Sequence, residues 1–590
     1  MNRQTKGFVL LVGEGDFSLS LALSQHGKFG SDQMISTSIE SRDSICKHQA
    51  AQSNIKSLQD NGVKIYFEVD ARQLHSDQCM LRNKQFSRIV FNFPHSGGKS
   101  NHKKNRTLLN DFFLSASKVL EDRGQIMVTL CKGQGGTPAD KPMRAWHDSW
   151  QVVSQAANSS LILREIIPFN ASEYTVYNSV GYRSQDKSFN TEGALIHVFE
   201  LSDSVTVPSV FNTSLVYNDQ HYSCSQYLHD KLNRKIVEDC GHPLSQIKTT
   251  LLDHLAQDLH ISFSPYSLPC FIPYTYTGGH DYKYSILKHI PSQISDRSVI
   301  PADTNNSSTV ANGDANHSHT THIRIRTSLL EQATAMLEGV DKCIVTSGIV
   351  AKPCVISPYK LPVHHELLIV YPFNSLQSLD FQSFSEKVCH SLGTLFHNNT
   401  EDLQITKSAE IGVTDVEMGI KDKRDITFRQ RASDEIIQVA SVVLLNNCFI
   451  VIFNLDKLTC LVNGINQQRL LWSKDYRFYG QFNDNLKPLT KFQPFYIYPM
   501  TFHHDISFWE KDGEEFEEMK MYEIICDVAG DVVNKVELLD SYEDNNTQQR
   551  GRCYRFTYVS YDKALSYITS WKLQSVLRLE ISKRMGITLR

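Results

Sequence analysis

Over the first 200 residues, short apolar runs alternate with stretches whose apolar residues recur at helical spacing. The runs are Phe8–Val12, Met34–Ser38, Lys64–Val69, Arg88–Phe91, Gln125–Leu130, Leu161–Ile167 and Ala194–Phe199; helical patterns fall near 16–26, 43–59, 105–121 and 143–157. Strands in alternation with helices predict a mainly parallel sheet covered on both faces, because parallel neighbours need a crossover between them. Such sheets bind ligands outside the carboxyl ends of their strands, so the residue after each run carries the information.

Those endings are distinctive. The first run stops at Gly13-Glu14-Gly15-Asp16 and continues through Phe17-Ser18; the second stops at Ile39-Glu40-Ser41, the third at Asp70-Ala71 and the fourth at Asn92-Phe93-Pro94-His95. Glycines suit a turn with positive φ, and Asp16 or Ser18 suits the cap of the next helix. The same glycines suit a ligand lying against backbone. The loop is not a full G-x-G-x-x-G, since Leu19 holds the third position, and two carboxylates would repel a pyrophosphate. A ligand with a cationic end fits better, which favours S-adenosylmethionine over NAD. Glu40 is placed to chelate ribose hydroxyls and Asp70 to accept from an adenine amine.

Further on, residues 290–325 are rich in Ser, Thr, Asn, Asp and Pro and nearly lack large apolar groups, a composition for a disordered linker. A mixed pattern returns from Ile323 to Phe482, with apolar strand character over Val442–Phe453. Residues 495–590 read as a unit of their own: strands near 504–509, 520–538 in two parts and 552–559, an amphipathic helix at 563–584, and a last strand at Ile587–Leu589. Three regions are expected: 1–200, 201–494 and 495–590.

Composition narrows the class. The chain has 590 residues, 41% hydrophobic and 21% charged, as in ordinary globular proteins, and no apolar stretch approaches a membrane span. Thirteen cysteines fall without C-x-x-C pairs, so neither a zinc site nor a disulfide framework is readable, and a reducing compartment follows, the cytoplasm or the nucleolus. Net charge is −4; residues 1–200 carry 23 Lys and Arg against 19 Asp and Glu (+4), residues 495–590 carry 12 against 16 (−4). No region announces nucleic acid by charge alone.

Four N-terminal blocks, LVGEGDFS (11–18), TSIES (37–41), VDARQL (69–74) and FNFPHSGG (91–98), resemble in order and spacing the fungal and plant 25S rRNA (uridine-N3) methyltransferases, as does Tyr177 with Gly181-Tyr182-Arg183. Glu40 departs from the aspartate that the family pattern has. The resemblance implies a Rossmann-like α/β domain using S-adenosylmethionine on a uridine of large-subunit rRNA. Gly13, Glu14, Gly15, Asp16, Phe17, Ser18, Glu40, Asp70 and Ala71 would hold the cofactor. Asn92 would hydrogen-bond the uracil edge, Phe93 would stack on the base, Pro94 would stiffen the loop, and His95 would be general base or anchor of a carbonyl. Lys99, Lys103, Lys104 and Arg106 lie beside that loop and are candidates for phosphate contact; Lys132-Gly133-Gln134-Gly135-Gly136 is a second loop over the same edge.

The far end is similar to another family. YPMTFHHDISFW (498–509), LLDSYED (538–544) and GITLR (586–590) resemble the ferredoxin-fold anticodon-binding domain that closes phenylalanyl-tRNA synthetases, and FNLDKLTCLVNGINQQRLLWSKDYRFYGQF (453–482) resembles the end of the organellar synthetase's catalytic domain. The ATP motif departs: Asn454 stands where a glycine belongs and Lys457 where the nucleotide-binding arginine belongs, and lysine cannot make the stacked, bidentate guanidinium contact. The middle is therefore expected to be a degenerate α+β synthetase, inactive in aminoacylation, and the tail a ferredoxin-like α+β sandwich that grips RNA through Arg552 and Arg555, with Arg550 and Arg578 nearby. The expected partner is RNA, rRNA or else tRNA. The alternative to an enzyme is an RNA-binding adaptor whose methyltransferase fold does not turn over.

Overall fold

The structure, a computed structural model, describes residues 7–590 except 28–29, 77–78, 98–100, 181–187, 275–284, 291–321, 334–336, 338–340, 374–378, 397–401, 409–417, 431–433, 483–489, 512, 514 and 545–548. Lys99 and nearly all of the expected linker lie outside the described residues. The chain divides into two compact units, one of residues 1–207, 494–504 and 557–575, the other of 208–493, 505–556 and 576–590. No helix among the described residues is long and apolar enough to cross a membrane.

The first unit is built on seven strands: β1 Phe8–Val12, β2 Met34–Thr37, β3 Lys64–Tyr66, β4 Phe86–Asn92, β5 Leu120–Leu130, β6 Leu161–Pro168 and β7 Leu195–Leu201. Their order is β3-β2-β1-β4-β5-β7-β6, parallel through β5 and antiparallel at β7 and β6. This is the expected doubly wound sheet. β1 lies inside the sheet between β2 and β4, and Val9, Leu10 and Leu11 are fully buried, as a strand covered on both faces requires. Helices α1 Ser18–Gln25, α2 Arg42–Ile45, α3 Gln49–Asp60, α4 His102–Ala116 and α5 Val152–Ala157 supply the cover. The helix expected over 143–157 is shorter, because Gln151 takes a left-handed φ of 54° and sets Val152 as the first helical residue.

The second unit holds a seven-stranded, mainly antiparallel sheet, in the order 264–265, 344–351, 363–372, 448–454, 435–445, 420–430, 403–407. Val442–Phe453 is a hairpin rather than one strand, since Asn446 turns the chain at φ 53° between Glu435–Leu445 and Cys448–Asn454. The C-terminal elements run strand 501–509, helix Glu518–Ala529, strands 533–543 and 550–559, helix Tyr567–Met585 and strand 588–589, a β-α-β-β-α-β order. The first half of the stretch expected as strand, 520–538, is helical. Met521, Ile524, Ile525 and Val528 recur at helical spacing and are buried along one stripe.

Candidate active site

Backbone hydrogen bonds lace the first four strand ends together. The Glu14 N–H donates to the Thr37 carbonyl (2.9 Å), Ser38 to Tyr66 (3.1 Å), Val69 to Ser38 (2.9 Å), and Phe93 to Thr129 on β5 (3.0 Å). Val12 pairs with Phe91, so the Gly13–Ser18 loop lies beside Asn92. The polar endings nominated from sequence thus share one edge of one sheet.

The loop after β1 turns at Gly13 (φ 71°) and again at Phe17 (φ 61°), whose ring is fully buried edge-on to Phe67 (5.8 Å). Its acids face inward. Glu14 accepts from the Ser20 backbone N–H (3.2 Å) and hydroxyl (2.9 Å), and Asp16, one residue before the N-cap Phe17, accepts from the Ser18 N–H (3.0 Å) and hydroxyl (2.6 Å). Burial pushes the Glu14 carboxyl up to about 7 against the pull of the Ser20 hydrogen bonds, and burial raises Asp16 as well.

Other expected ligand residues are differently engaged. Asp70 is gripped by Arg72 (3.0, 3.1 and 2.6 Å), whose hydrogen bonds hold its carboxyl below the usual range. An adenine amine there would compete with a guanidinium. Glu40 is exposed and accepts from Ser44 (3.0 Å), while Ala71 is buried.

A segment that sequence reasoning hardly used covers this edge. Ser18 exchanges hydrogen bonds with the backbone of Asn178 (3.0 Å each way), and a Cβ on Gly15 would come within 3.1 Å of the Val180 side chain. The open face expected at Gly15 is therefore filled by Val180. The phenol of Tyr177 is kept protonated by burial and by the nearby carboxyls of Glu14 and Asp16. Tyr174 stacks on Phe169 (5.8 Å), and His26 meets the Glu173 carbonyl (2.6 Å), which pins the start of this strap.

Beyond Asn92, the strand end of β4 bends through Phe93 at a left-handed φ of 49°. A cavity of about 230 Å³ opens there, walled by Phe93, Pro94, His95, Gln134, Trp150 and Phe189. Phe93 is nearly fully buried; Phe189 stacks on one face (5.6 Å, 13°) and Phe169 meets it edge-on (5.4 Å). A base could stack on that face of Phe93 only by displacing Phe189, so Phe93 serves here as wall, not platform. His95 Nδ1 accepts the Gly97 N–H (2.9 Å), so the neutral ring carries its proton on Nε2. That tautomer suits an anchor of a carbonyl and does not suit a base acting through Nε2.

The cations divide. Lys103 and Lys104 are exposed on the first turn of α4. Arg106 is spent on structure: its guanidinium donates to the carbonyls of His147 (2.6 Å) and Ser149 (3.0 and 2.6 Å). Arg552 pairs with Glu510 and lies over Phe516 (4.9 Å), Arg555 forks onto Asp505 (2.8 Å twice), and Arg578 donates to the Arg590 carbonyl (3.2 Å). Long-range pairing thus removes the two tail arginines first nominated for RNA from the set of uncommitted cations.

In the second unit, a cavity of about 410 Å³ opens on the seven-stranded sheet, lined among others by Lys352, Lys360, Lys423, Lys457, His364 and Glu366. Lys352 pairs with Glu366 (2.7 Å), whose carboxyl is held down to about 2 by His364 and Lys352 despite its burial. Asn454 caps the following helix by accepting the Lys457 N–H (2.9 Å), and Lys457 donates to the Gln438 carbonyl (3.3 Å). Both residues that depart from the synthetase motif thus have local structural partners.

Comparison with known proteins fits this layout. The family described as rRNA (uridine-N3-)-methyltransferase BTM5-like matches residues 10–181. Ferredoxin-fold anticodon-binding domain-containing protein 1 homolog of Mus musculus is 31% identical over 632 aligned residues, covering 99% of each chain, and the Homo sapiens protein is 31% identical with the same coverage. The chain belongs to the family of ferredoxin-fold anticodon-binding domain-containing protein 1. The mitochondrial phenylalanine–tRNA ligase of Saccharomyces cerevisiae is 35% identical over 140 residues, 23% of this chain and 29% of that enzyme. In this family member a methyltransferase-type domain thus stands at the N-terminus and ligase-like sequence in the C-terminal part.

Proposed function

We propose that the first unit transfers methyl from S-adenosylmethionine to N3 of a uridine in large-subunit rRNA, and that the ligase-like segments hold the RNA. The observation that carries this reading is the shared edge: an acidic glycine loop after β1 on one side, and the Asn92–His95 cavity beyond β4 on the other, laced by strand-end hydrogen bonds. The donor set suits the cofactor, because buried Glu14 and Asp16 favour a cationic ligand once ionised. At Gly15 the fit requires Val180 to move aside. Gly13–Ser18 and Ala71 would hold the ligand, with Glu40 on the ribose, while Asp70 would first have to part from Arg72. When bound, S-adenosylmethionine supplies a methyl group on a sulfonium that keeps the bonding pair as the methyl leaves.

The protein's own work is to seat the base and to stabilise the N3 anion, whose proton passes to solvent before the seated base is shielded from water and takes the methyl. His95 Nε2–H and the Asn92 amide are donors suited to the uracil carbonyls, where the charge of the N3 anion gathers. Lys103 and Lys104 would contact phosphate, with Lys99. The work would be done in the cytoplasm or the nucleolus. The test is nucleoside mass spectrometry of rRNA and tRNA from cells with and without the protein. Loss of 3-methyluridine from rRNA is expected; unchanged 3-methyluridine in both RNAs would overturn the reading.

One observation favours a second reading, a non-enzymatic RNA-binding protein: Val180 and Tyr177 cover the loop where the cofactor would lie. Calorimetry with S-adenosylmethionine separates the two. Binding supports the enzyme, and no heat at high micromolar ligand supports the adaptor.

A further inference from the structure

We propose that the exposed turn 141–148 is a landing platform for single-stranded RNA beside the Asn92–His95 cavity, with the Trp146 ring stacking on a base that flanks the target nucleotide. This rests on the reading of the first unit as acting on RNA at that cavity. Every residue of the turn, Lys141-Pro142-Met143-Arg144-Ala145-Trp146-His147-Asp148, is exposed, whereas Ser149 and Trp150 after it are buried. Met143 is 69% and Trp146 46% exposed. A large aromatic ring left half in water beside a cavity offers a face that a partner can cover.

The turn is held against the cavity wall. The Arg106 guanidinium donates to the His147 and Ser149 carbonyls, and the Ser149 hydroxyl (2.9 Å) and Gln151 amide (3.1 Å) donate to the Trp146 carbonyl. Arg144 donates to the Lys132 carbonyl (3.4 Å), and a Cβ on Gly133 would come within 3.0 Å of Arg144 and of the Pro142 carbonyl. Cys131 and Gln134, on either side of Lys132 and Gly133, line the cavity, as does Trp150. The main chain of the turn is thus fixed in advance while the Trp146 ring stays half exposed, so little order is lost when a base stacks on it.

The surroundings suit a polyanion. Lys132, Lys141 and Arg144 are exposed, and Arg106 ties this turn to α4, whose first turn carries the exposed Lys103 and Lys104. The one acid in the turn, Asp148, lies 3.5 Å from His147. An aromatic platform set among cations holds single-stranded nucleic acid, because every base has a π-face and every nucleotide a phosphate. A base flipped into the cavity leaves its neighbours unstacked, and Trp146 would restore stacking on one of them. A protein partner would need a larger apolar patch than Met143 and Trp146 supply.

The test uses the full chain and a fluorescein-labelled oligouridylate of about ten nucleotides, with binding read by anisotropy. Trp146→Ala is expected to weaken binding about tenfold, the scale of one lost base stack, and Trp146→Phe to keep most of the affinity. Both variants should melt near the wild-type temperature, since the ring is half exposed. Unchanged affinity in Trp146→Ala, the result expected of a surface that docks a protein or nothing, would overturn the proposal. Should that variant fail to fold, the wild-type chain decides: photocrosslinking to the same oligonucleotide carrying 5-iodouridine is expected to label the peptide that contains Trp146, and a labelled set without that peptide overturns the proposal. The methylation reading is judged apart from this. Trp146-dependent binding with unchanged 3-methyluridine in cells lacking the protein keeps the platform and fails the enzyme; lost 3-methyluridine with Trp146-independent binding does the reverse.

Discussion

A carboxyl pushed up to about 7 by burial changes charge near neutrality, so Glu14 makes the loop after β1 sensitive to pH. A cationic ligand prefers the ionised loop. Affinity for S-adenosylmethionine is expected to rise as pH passes upward through 7 and then level off, which calorimetry from pH 6 to 8 would read. The same shift bears on stability with a definite sign. Glu14 is ordinarily at 4.5 and is raised in the folded chain, so its favourable contribution is complete below 4.5 and is lost as pH climbs through 7. Glu14→Gln keeps an acceptor for Ser20 without the charge. Its melting temperature should match the wild type at low pH and exceed it above 7. Around the same edge, Gly15→Arg should abolish cofactor binding, because even a Cβ there meets Val180. Asn92→Ala should bind cofactor normally and lose transfer. Equal effects of these two changes in calorimetry and methylation assays would show the division of roles to be wrong.

At the scale of elements, the strap Tyr174–Val180 packs against the loop after β1, and the turn 146–150 leads into Trp150 at the cavity beyond β4. Replacing Val180 with Gly removes the side chain against Gly15 and should raise cofactor affinity several-fold, with no change expected if the strap does not gate the loop. Arg106 clamps the turn that carries Trp150; Arg106→Ala should lower stability by about 1.5–3 kcal/mol, the usual worth of hydrogen bonds to a charged group, as read by thermal or urea unfolding. In the second unit, helix Gln226–Leu232 is tied to the turn at Asp531 by Lys231, with Tyr227 donating to the same carboxylate (2.9 Å) and Lys231 lying over Trp472 (4.3 Å). Removing one partner of a buried pair strands the other's charge, so Lys231→Ala should cost about 3–5 kcal/mol, more than the conservative loss of the Tyr227 hydroxyl.

At the scale of the molecule, the methyltransferase-type domain and the ligase-like sequence have fared differently. The glycine loop and Asn-Phe-Pro-His stand intact at the sheet edge, whereas Asn454 and Lys457 have been absorbed into a helix cap and a backbone contact. Phenylalanine-dependent pyrophosphate exchange by the full chain is accordingly expected to be absent. Much of this was legible in the sequence. Period-two and period-3.6 patterns are local, so the seven strands of the first sheet and the residues that end them could be read directly, whereas the cap expected at Asp16 or Ser18 falls on Phe17, with Asp16 bonded to the Ser18 N–H beside it. The helix at Glu518–Ala529 was misread because its β-branched residues mimic a strand until the burial stripe is seen.

The chain's own letters determined the order of elements and the chemistry at each strand end, because turns, caps and apolar periods depend on neighbours a few residues away. Only the tertiary structure decided which of those groups are available. Arg106, Arg552, Arg555 and Asp70 are alike in sequence to exposed charges, yet each is taken by a partner, three of them from distant parts of the chain. Val180 over Gly15 and Phe189 over Phe93 likewise arise from packing between segments far apart along the chain, for which no local pattern exists.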